Sequence, residues 1–129
     1  MYCLDTNIII DIFHGNKEIV KKLNELKDDF DIYLTPVTLC ELYKGAYLFF
    51  NQKKGVDEVD NFISSFDILD FNVECCREFG KIYAELKKKG KITQETDLMI
   101  ASIAKVNDLI LITRDKKGFA HAGVKLEVW

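Results

Sequence analysis

Apolar residues fall into two kinds of run along this chain. Residues 2–4, 32–34 and 109–112 are short and continuously apolar, residues 67–71 alternate loosely, and residues 124–129 form a last stretch of similar length. Such lengths suit strands, and continuous runs suit strands covered on both faces, because a sheet with one wet face would alternate. Between them the apolar positions recur every three or four residues. Residues 8–13 read as a strongly apolar helical segment bounded by Asn7 and Gly15, and Ile19, Leu23 and Leu26, widened by Val20, mark a helix over 16–27. Thr35 and Pro36 open another, since threonine can cap free amides and proline fits the first helical position. It carries Val37, Cys40, Glu41, Tyr43, Lys44 and Tyr47 to about Phe50. A shorter helix follows Gly55, bearing Val56, Val59, Phe62, Ile63 and Phe66. Asn72 caps a helix running to Lys89, apolar at Val73, Cys76, Phe79, Ile82, Tyr83 and Leu86 and stopped by Gly90. Thr93 caps the next. There Leu98, Met99, Ile100, Ala101, Ile103, Ala104 and Val106 cover most of the circumference, the pattern of a helix buried against a sheet.

This alternation predicts one α/β domain over residues 1–129, a mostly parallel central sheet with helices on both faces. A 48% hydrophobic content with one proline and seven glycines argues against disorder and against a long flexible linker. No stretch reaches the apolar length of a membrane span. Met1 to Asp5 lacks a basic leader, so no secretory signal is expected and the protein is read as cytoplasmic. Cys3, Cys40, Cys75 and Cys76 show no C-x-x-C spacing and are read as small buried side chains in a reducing compartment. Lys87-Lys88-Lys89 reads as a solvated helix end. A net charge of −3 lends nucleic-acid binding no support, although it says nothing of how the charge is distributed.

Four carboxylates change that picture. Asp5 ends the first strand, Glu41 lies just over one turn into the helix opened by Pro36, Asp97 begins the most apolar helix, and Asp115 follows the fourth strand after Thr113-Arg114. In an open parallel sheet functional groups gather at the carboxyl ends of strands. All four are therefore expected at one edge, where like charges stay ionised cheaply only around a cation. An all-oxygen donor set favours Mg²⁺ or Mn²⁺. Each acid also has a structural alternative: Asp5 as a helix cap, Asp97 as a first-turn acid, Glu41 as a helix residue, Asp115 as a turn residue.

The residues around these acids resemble the PIN-domain ribonucleases, in particular the VapC toxins of toxin–antitoxin pairs. Cys3-Leu4-Asp5-Thr6-Asn7-Ile8-Ile9-Ile10 resembles that family's first strand and its Asp-Thr-Asn motif. Pro36-Val37-Thr38-Leu39-Cys40-Glu41-Leu42 resembles the helix presenting its glutamate. Gly90-Lys91-Ile92 followed by Asp97-Leu98-Met99-Ile100-Ala101 resembles the segment carrying its third acid, and Leu111-Ile112-Thr113-Arg114-Asp115, followed by Phe119, its last motif. The likeness implies that Asp5, Glu41, Asp97 and Asp115 are the catalytic, metal-holding quartet, supported by Thr6, Asn7 and Thr113. It also implies a homodimer, a cognate antitoxin, and structured or messenger RNA as substrate. Mg²⁺-assisted hydrolysis of an RNA phosphodiester is the expected reaction, with Lys44, Arg114, Lys116 and Lys117 placed to meet phosphates without reading bases. Two other readings remain open: a metal-dependent phosphatase of small molecules, which often carries a second acid where this chain has Asn7, and a non-catalytic module whose acidic cleft binds a basic segment. Finally, Tyr43, Tyr47, Phe49 and Phe50 crowd one helix and Val59, Phe62 and Phe66 the next. That is more aromatic area than one small sheet hides, so either a contact between chains or an intramolecular clamp is expected.

Overall fold

In the computed structural model, which describes residues 1–91 and 93–129, five strands and seven helices alternate. They are β1 (Tyr2–Leu4), α1 (Thr6–Phe13), α2 (Lys17–Asp29), β2 (Ile32–Leu34), α3 (Pro36–Leu48), α4 (Gln52–Ile63), β3 (Asp67–Ile68), α5 (Val73–Lys88), α6 (Glu95–Val106), β4 (Ile110–Thr113), α7 (Lys116–Phe119) and β5 (Leu126–Val128). The sheet order is β3-β2-β1-β4-β5, and every pair is parallel.

Period-two alternation along these strands builds two cores. Cys3, Tyr33, Leu111 and Leu126 point to one face, where Cys75, Ile82 and Leu86 of α5 and Leu98, Ala101 and Ile103 of α6 cover them. Leu4, Ile32, Leu34 and Ile112 point to the other, under Ile8 and Ile9 of α1, Ile19 and Leu23 of α2, and Leu42 and Ala46 of α3. The central strands are thus apolar on both sides, as expected. α6 is buried nearly all round, and even Ser102 is enclosed, its hydroxyl donating to the Leu98 carbonyl at 2.6 Å.

Several local expectations shift. β3 keeps only two residues of the 67–71 run. α4 begins at Gln52, capped by Asn51 (Oδ1 accepting from the Lys54 amide, 3.1 Å), so Gly55 lies inside that helix and does not precede it. The reason is packing: a Cβ at Gly55 would come within 3.1 Å of the Ala46 carbonyl oxygen, so glycine lets α4 press against α3. Thr93 does not cap α6; Gln94 occupies that position and makes no side-chain bond there. On α5 Ile82 and Leu86 are buried as expected, but in the first turn Cys75 is buried while Cys76 is exposed and Val73 is 66% exposed, and Tyr83 is exposed as well. Cys40 is exposed as well, so only Cys3 and Cys75 are the buried thiols expected of all four. No helix among the described residues is long and apolar enough to cross a membrane.

Candidate active site

The chain leaves the centre of the sheet in opposite directions, β1 towards β2 and β3, β4 towards β5. Such a reversal opens a crevice at the carboxyl ends of the two strands. Asp5 follows β1 there. It caps α1, with Oδ1 accepting from the Thr6 amide at 2.8 Å, while Oδ2 accepts from the Thr113 hydroxyl at 2.7 Å. Only 4% of Asp5 is exposed, and this burial is the main reason its carboxyl is pushed up to about 6. Asp97 and Glu41 add to the rise through repulsion, and the bonds from Thr113 and Thr6 oppose it.

Glu41 lies on α3 and accepts from the Thr6 hydroxyl through Oε1 at 2.7 Å. Asp97, the third residue of α6, is half-buried and is also pushed up to about 6, by burial first and then by Glu41 and Asp115. Asp115 caps α7 by accepting from the Gly118 amide at 3.0 Å. A Cβ at Gly118 would fall 2.6 Å from Asp115 Oδ2 and 3.2 Å from Asp97 Oδ2, so the two carboxylates close over the same glycine. Two helices and two strand ends have therefore brought four acids within reach of each other's fields. The structural alternatives were not exclusive: Asp5 and Asp115 cap helices while belonging to the cluster.

Two of the three supporting residues, Asn7 and Thr113, meet at one hydroxyl, while Thr6 serves Asp5 and Glu41. Thr113 is fully buried, donates to Asp5, and accepts from the Asp115 amide at 3.0 Å and from Asn7 Nδ2 at 3.4 Å. Asn7 Oδ1 in turn accepts from the Arg114 amide at 3.3 Å. Among the basic residues, Arg114 is occupied by Asp11, Nη1 to Oδ2 at 3.0 Å. Lys44, Lys116 and Lys117 are exposed and enter no ion pair among the described residues. In the third motif Gly90 follows α5 with a φ of 65°, and Ile92 lies outside the described residues.

Among the described residues no three His, Cys, Asp or Glu side chains meet closely enough to hold one ion as they stand. The donor chemistry nevertheless fits a hard divalent cation. All four groups are carboxylates, and two have pKa values raised partly by their neighbours' charge, a penalty that a cation between them would relieve. Three residues at the site carry roles that the strand and helix patterns did not single out: Thr38, Gly118 and Asp11. Thr38 had a visible signal, since it stands one turn before Glu41 on the same helix face.

Comparison with known proteins agrees with this geometry. Residues 2–125 match the PIN domain family. The chain is 32% identical to ribonuclease VapC2 of Haemophilus influenzae, covering 99% of this chain and 97% of that one. It is 30% identical to the tRNA(fMet)-specific endonuclease VapC of Shigella flexneri, over 99% and 97%. The solved structure of VapBC2 from Rickettsia felis, bound to a DNA fragment from its promoter, superimposes with a TM-score of 0.93 at 29% identity, over 99% of this chain and 98% of that one. With the acids of the Asp-Thr-Asn strand end and of three further segments converging at the switch point of a parallel sheet, the chain belongs to the PIN-domain family, among the VapC ribonucleases that act as toxins of toxin–antitoxin pairs.

Proposed function

We propose that RNA phosphodiester hydrolysis takes place at Asp5, Glu41, Asp97 and Asp115, with Mg²⁺, or Mn²⁺ in its place, held by these carboxylates. The observation that carries this reading is the gathering of the four acids at the ends of β1 and β4: Thr113 bridges Asp5 and the Asp115 amide, Thr6 ties Glu41 beside Asp5, and Asp97 and Asp115 both close on Gly118. When bound, the ion supplies charge neutralisation at the phosphoryl oxygens and acidifies the attacking water. The chain's own part is positioning. Thr113 and the Thr6 amide hold Asp5 in one orientation, Thr6 holds Glu41, and the Gly118 amide holds Asp115. Lys116 and Lys117, at the start of α7, and Lys44, one turn beyond Glu41, are exposed cations able to bind flanking phosphates. Arg114 joins them once released from Asp11. The likeness to VapC ribonucleases along nearly the whole chain favours RNA hydrolysis over a small-molecule phosphatase or a non-catalytic acidic cleft.

The same reading extends to partners. An apolar groove of about 440 Å³ runs between α1, α3 and α4, lined by Ile10, Phe13, Leu42, Phe49 and Val59, with Glu41 at its margin. Its occupant is an arm of the cognate antitoxin, because the Rickettsia felis relative is solved as a VapBC pair and because the groove leads to the acidic site, where a basic side chain from the arm would block RNA. Tyr47, Leu48 and Phe50 remain 58%, 78% and 91% exposed beyond the end of the groove, a surface suited to a second copy of the chain. Exposed Cys40 and Cys76, neither in a disulfide, suit a reducing cytoplasm.

The test is cleavage of labelled RNA by the purified protein with Mg²⁺, with EDTA, and with Asp5→Asn. Cleavage that needs the ion and disappears in D5N is the expected result. Cleavage that survives either EDTA or D5N would remove the quartet from the chemistry.

A further inference from the structure

Behind Glu41 lies a row of hydroxyls that the acidic quartet does not account for. Thr35, Thr38 and Thr6 come from the end of β2, the first turn of α3 and the first turn of α1, and they are 0%, 0% and 5% exposed. Water barely reaches these groups, so their hydrogen-bond partners must come from the protein. Thr35 Oγ1 lies 3.4 Å from Thr38 Oγ1, Thr38 Oγ1 lies 3.0 Å from Thr6 Oγ1, and Thr6 Oγ1 lies 2.7 Å from Glu41 Oε1. Thr35 Oγ1 also accepts from the Thr38 amide at 3.1 Å, which caps α3 and leaves its own proton free to point along the row.

Proton counting gives the row a direction. Each hydroxyl has one proton to donate, and Glu41 Oε1 accepts from Thr6. The shortest bond, to Glu41, therefore takes the proton of Thr6. Thr6 must then accept from Thr38, and Thr38 from Thr35. All three protons point towards Glu41, and hydrogen bonds aligned in one sense strengthen one another in a low-dielectric setting. A valine in place of Thr38 would have nearly the same shape with no buried hydroxyl to satisfy, so packing alone gives no reason for threonine there.

Resting on the reading of the quartet as the metal-holding site, we infer that Thr38, backed by Thr35, is a positioning residue for Glu41. It commits the Thr6 proton to Oε1 and thereby keeps Oε2, which accepts no hydrogen bond among the described residues, turned to the quartet. Thr38 touches no substrate and acts only through Thr6 and Glu41. Hydroxyls that orient a ligand in this way commonly govern affinity for the ion.

Manganese binding without RNA reads this directly. Calorimetry with MnCl₂ is run on the wild type, Thr38→Val, Thr38→Ser, Glu41→Gln and the T38V/E41Q double variant, with a thermal melt in EDTA for each. T38V should weaken Mn²⁺ binding roughly tenfold, T38S should restore it, and T38V should add nothing in the E41Q background. On RNA, T38V should lower kcat with little change in KM. Thr38→Ala removes the same hydroxyl with less bulk and takes the place of T38V if the valine variant does not fold. Wild-type affinity in T38V, or an equal loss with and without Glu41, would overturn the inference while leaving the metal site standing. A wild type that binds no Mn²⁺ would overturn both.

Discussion

Replacing Asp97 with asparagine should make the metal-free protein more stable while destroying its activity. The Asp97 carboxyl moves from 3.8 to about 6 through burial, Glu41 and Asp115. A folded-state value above the unfolded one means that the fold holds this proton more tightly. The associated stability is complete below about pH 4 and is lost as the pH rises through about 6. Above that, the ionised group costs at most about 3 kcal/mol relative to a neutral one. Because Asp97 keeps partial contact with solvent, screening reduces this to roughly 1.5 kcal/mol. Asparagine also gives up about 0.5 kcal/mol of favourable charge in the first turn of α6. The net gain of about 1 kcal/mol corresponds to roughly 3–5 °C in Tm for a domain of this size. Circular dichroism melts in EDTA at pH 7.5 should show D97N melting higher by that amount. At pH 5 the gap should narrow to roughly half, and it should close below about pH 4, where the unfolded carboxyl is protonated as well. With Mg²⁺ at a hundredfold excess over its Kd, the wild type should gain about 2.7 kcal/mol by linkage and D97N markedly less. RNA cleavage by D97N should fall by about 10²-fold or more. A D97N protein that melts at or below the wild type in EDTA at pH 7.5, or keeps its advantage unchanged at pH 5, would refute the claim that charge crowding is stored at this edge.

Gly118→Ala should cut cleavage at least about tenfold, because its Cβ would displace Asp115 Oδ2 from 2.6 Å and press Asp97 Oδ2 at 3.2 Å; steady-state kinetics on a folded G118A protein with undiminished turnover would contradict this. Asp11→Asn frees Arg114 from its 3.0 Å ion pair and should lower KM for RNA roughly two- to fivefold with kcat unchanged, and it should steepen the salt dependence of binding. Light scattering after size exclusion should give a dimer near twice 14.9 kDa at micromolar concentration. Phe50→Ser should shift it towards monomer, and a strict wild-type monomer would remove the proposed contact around Phe50, which is 91% exposed.

Much of this protein was legible in one dimension. Continuous apolar runs such as Leu109 to Ile112 already announced strands covered on both faces, and the all-round apolarity of α6 announced its depth, because these patterns depend only on local period and burial. Caps were legible for the same local reason where a side chain reaches an amide three residues on, as Asn72 does to Cys75 at 3.0 Å. The acids stood out because each sits beside a strand end or helix start. Where local signals were weak, the reading slipped: Thr93 in place of Gln94, Gly55 in place of Asn51, Cys76 in place of Cys75. Gly55 shows why, since its task is set by Ala46 on another helix and no pattern along α4 records it. The order β3-β2-β1-β4-β5 is likewise a matter of pairing between distant segments, and that order places the crevice between β1 and β4 and brings Asp5 and Asp115 to one edge, joined through Thr113. Partners such as Thr6 and Glu41, or Asn7 and Thr113, are 35 and 106 residues apart in the chain. Residue types can nominate such groups one by one. Only folding selects which hydroxyl faces which carboxylate, because hydrogen bonds and like-charge repulsion act over a few ångströms of space and take no account of distance along the chain.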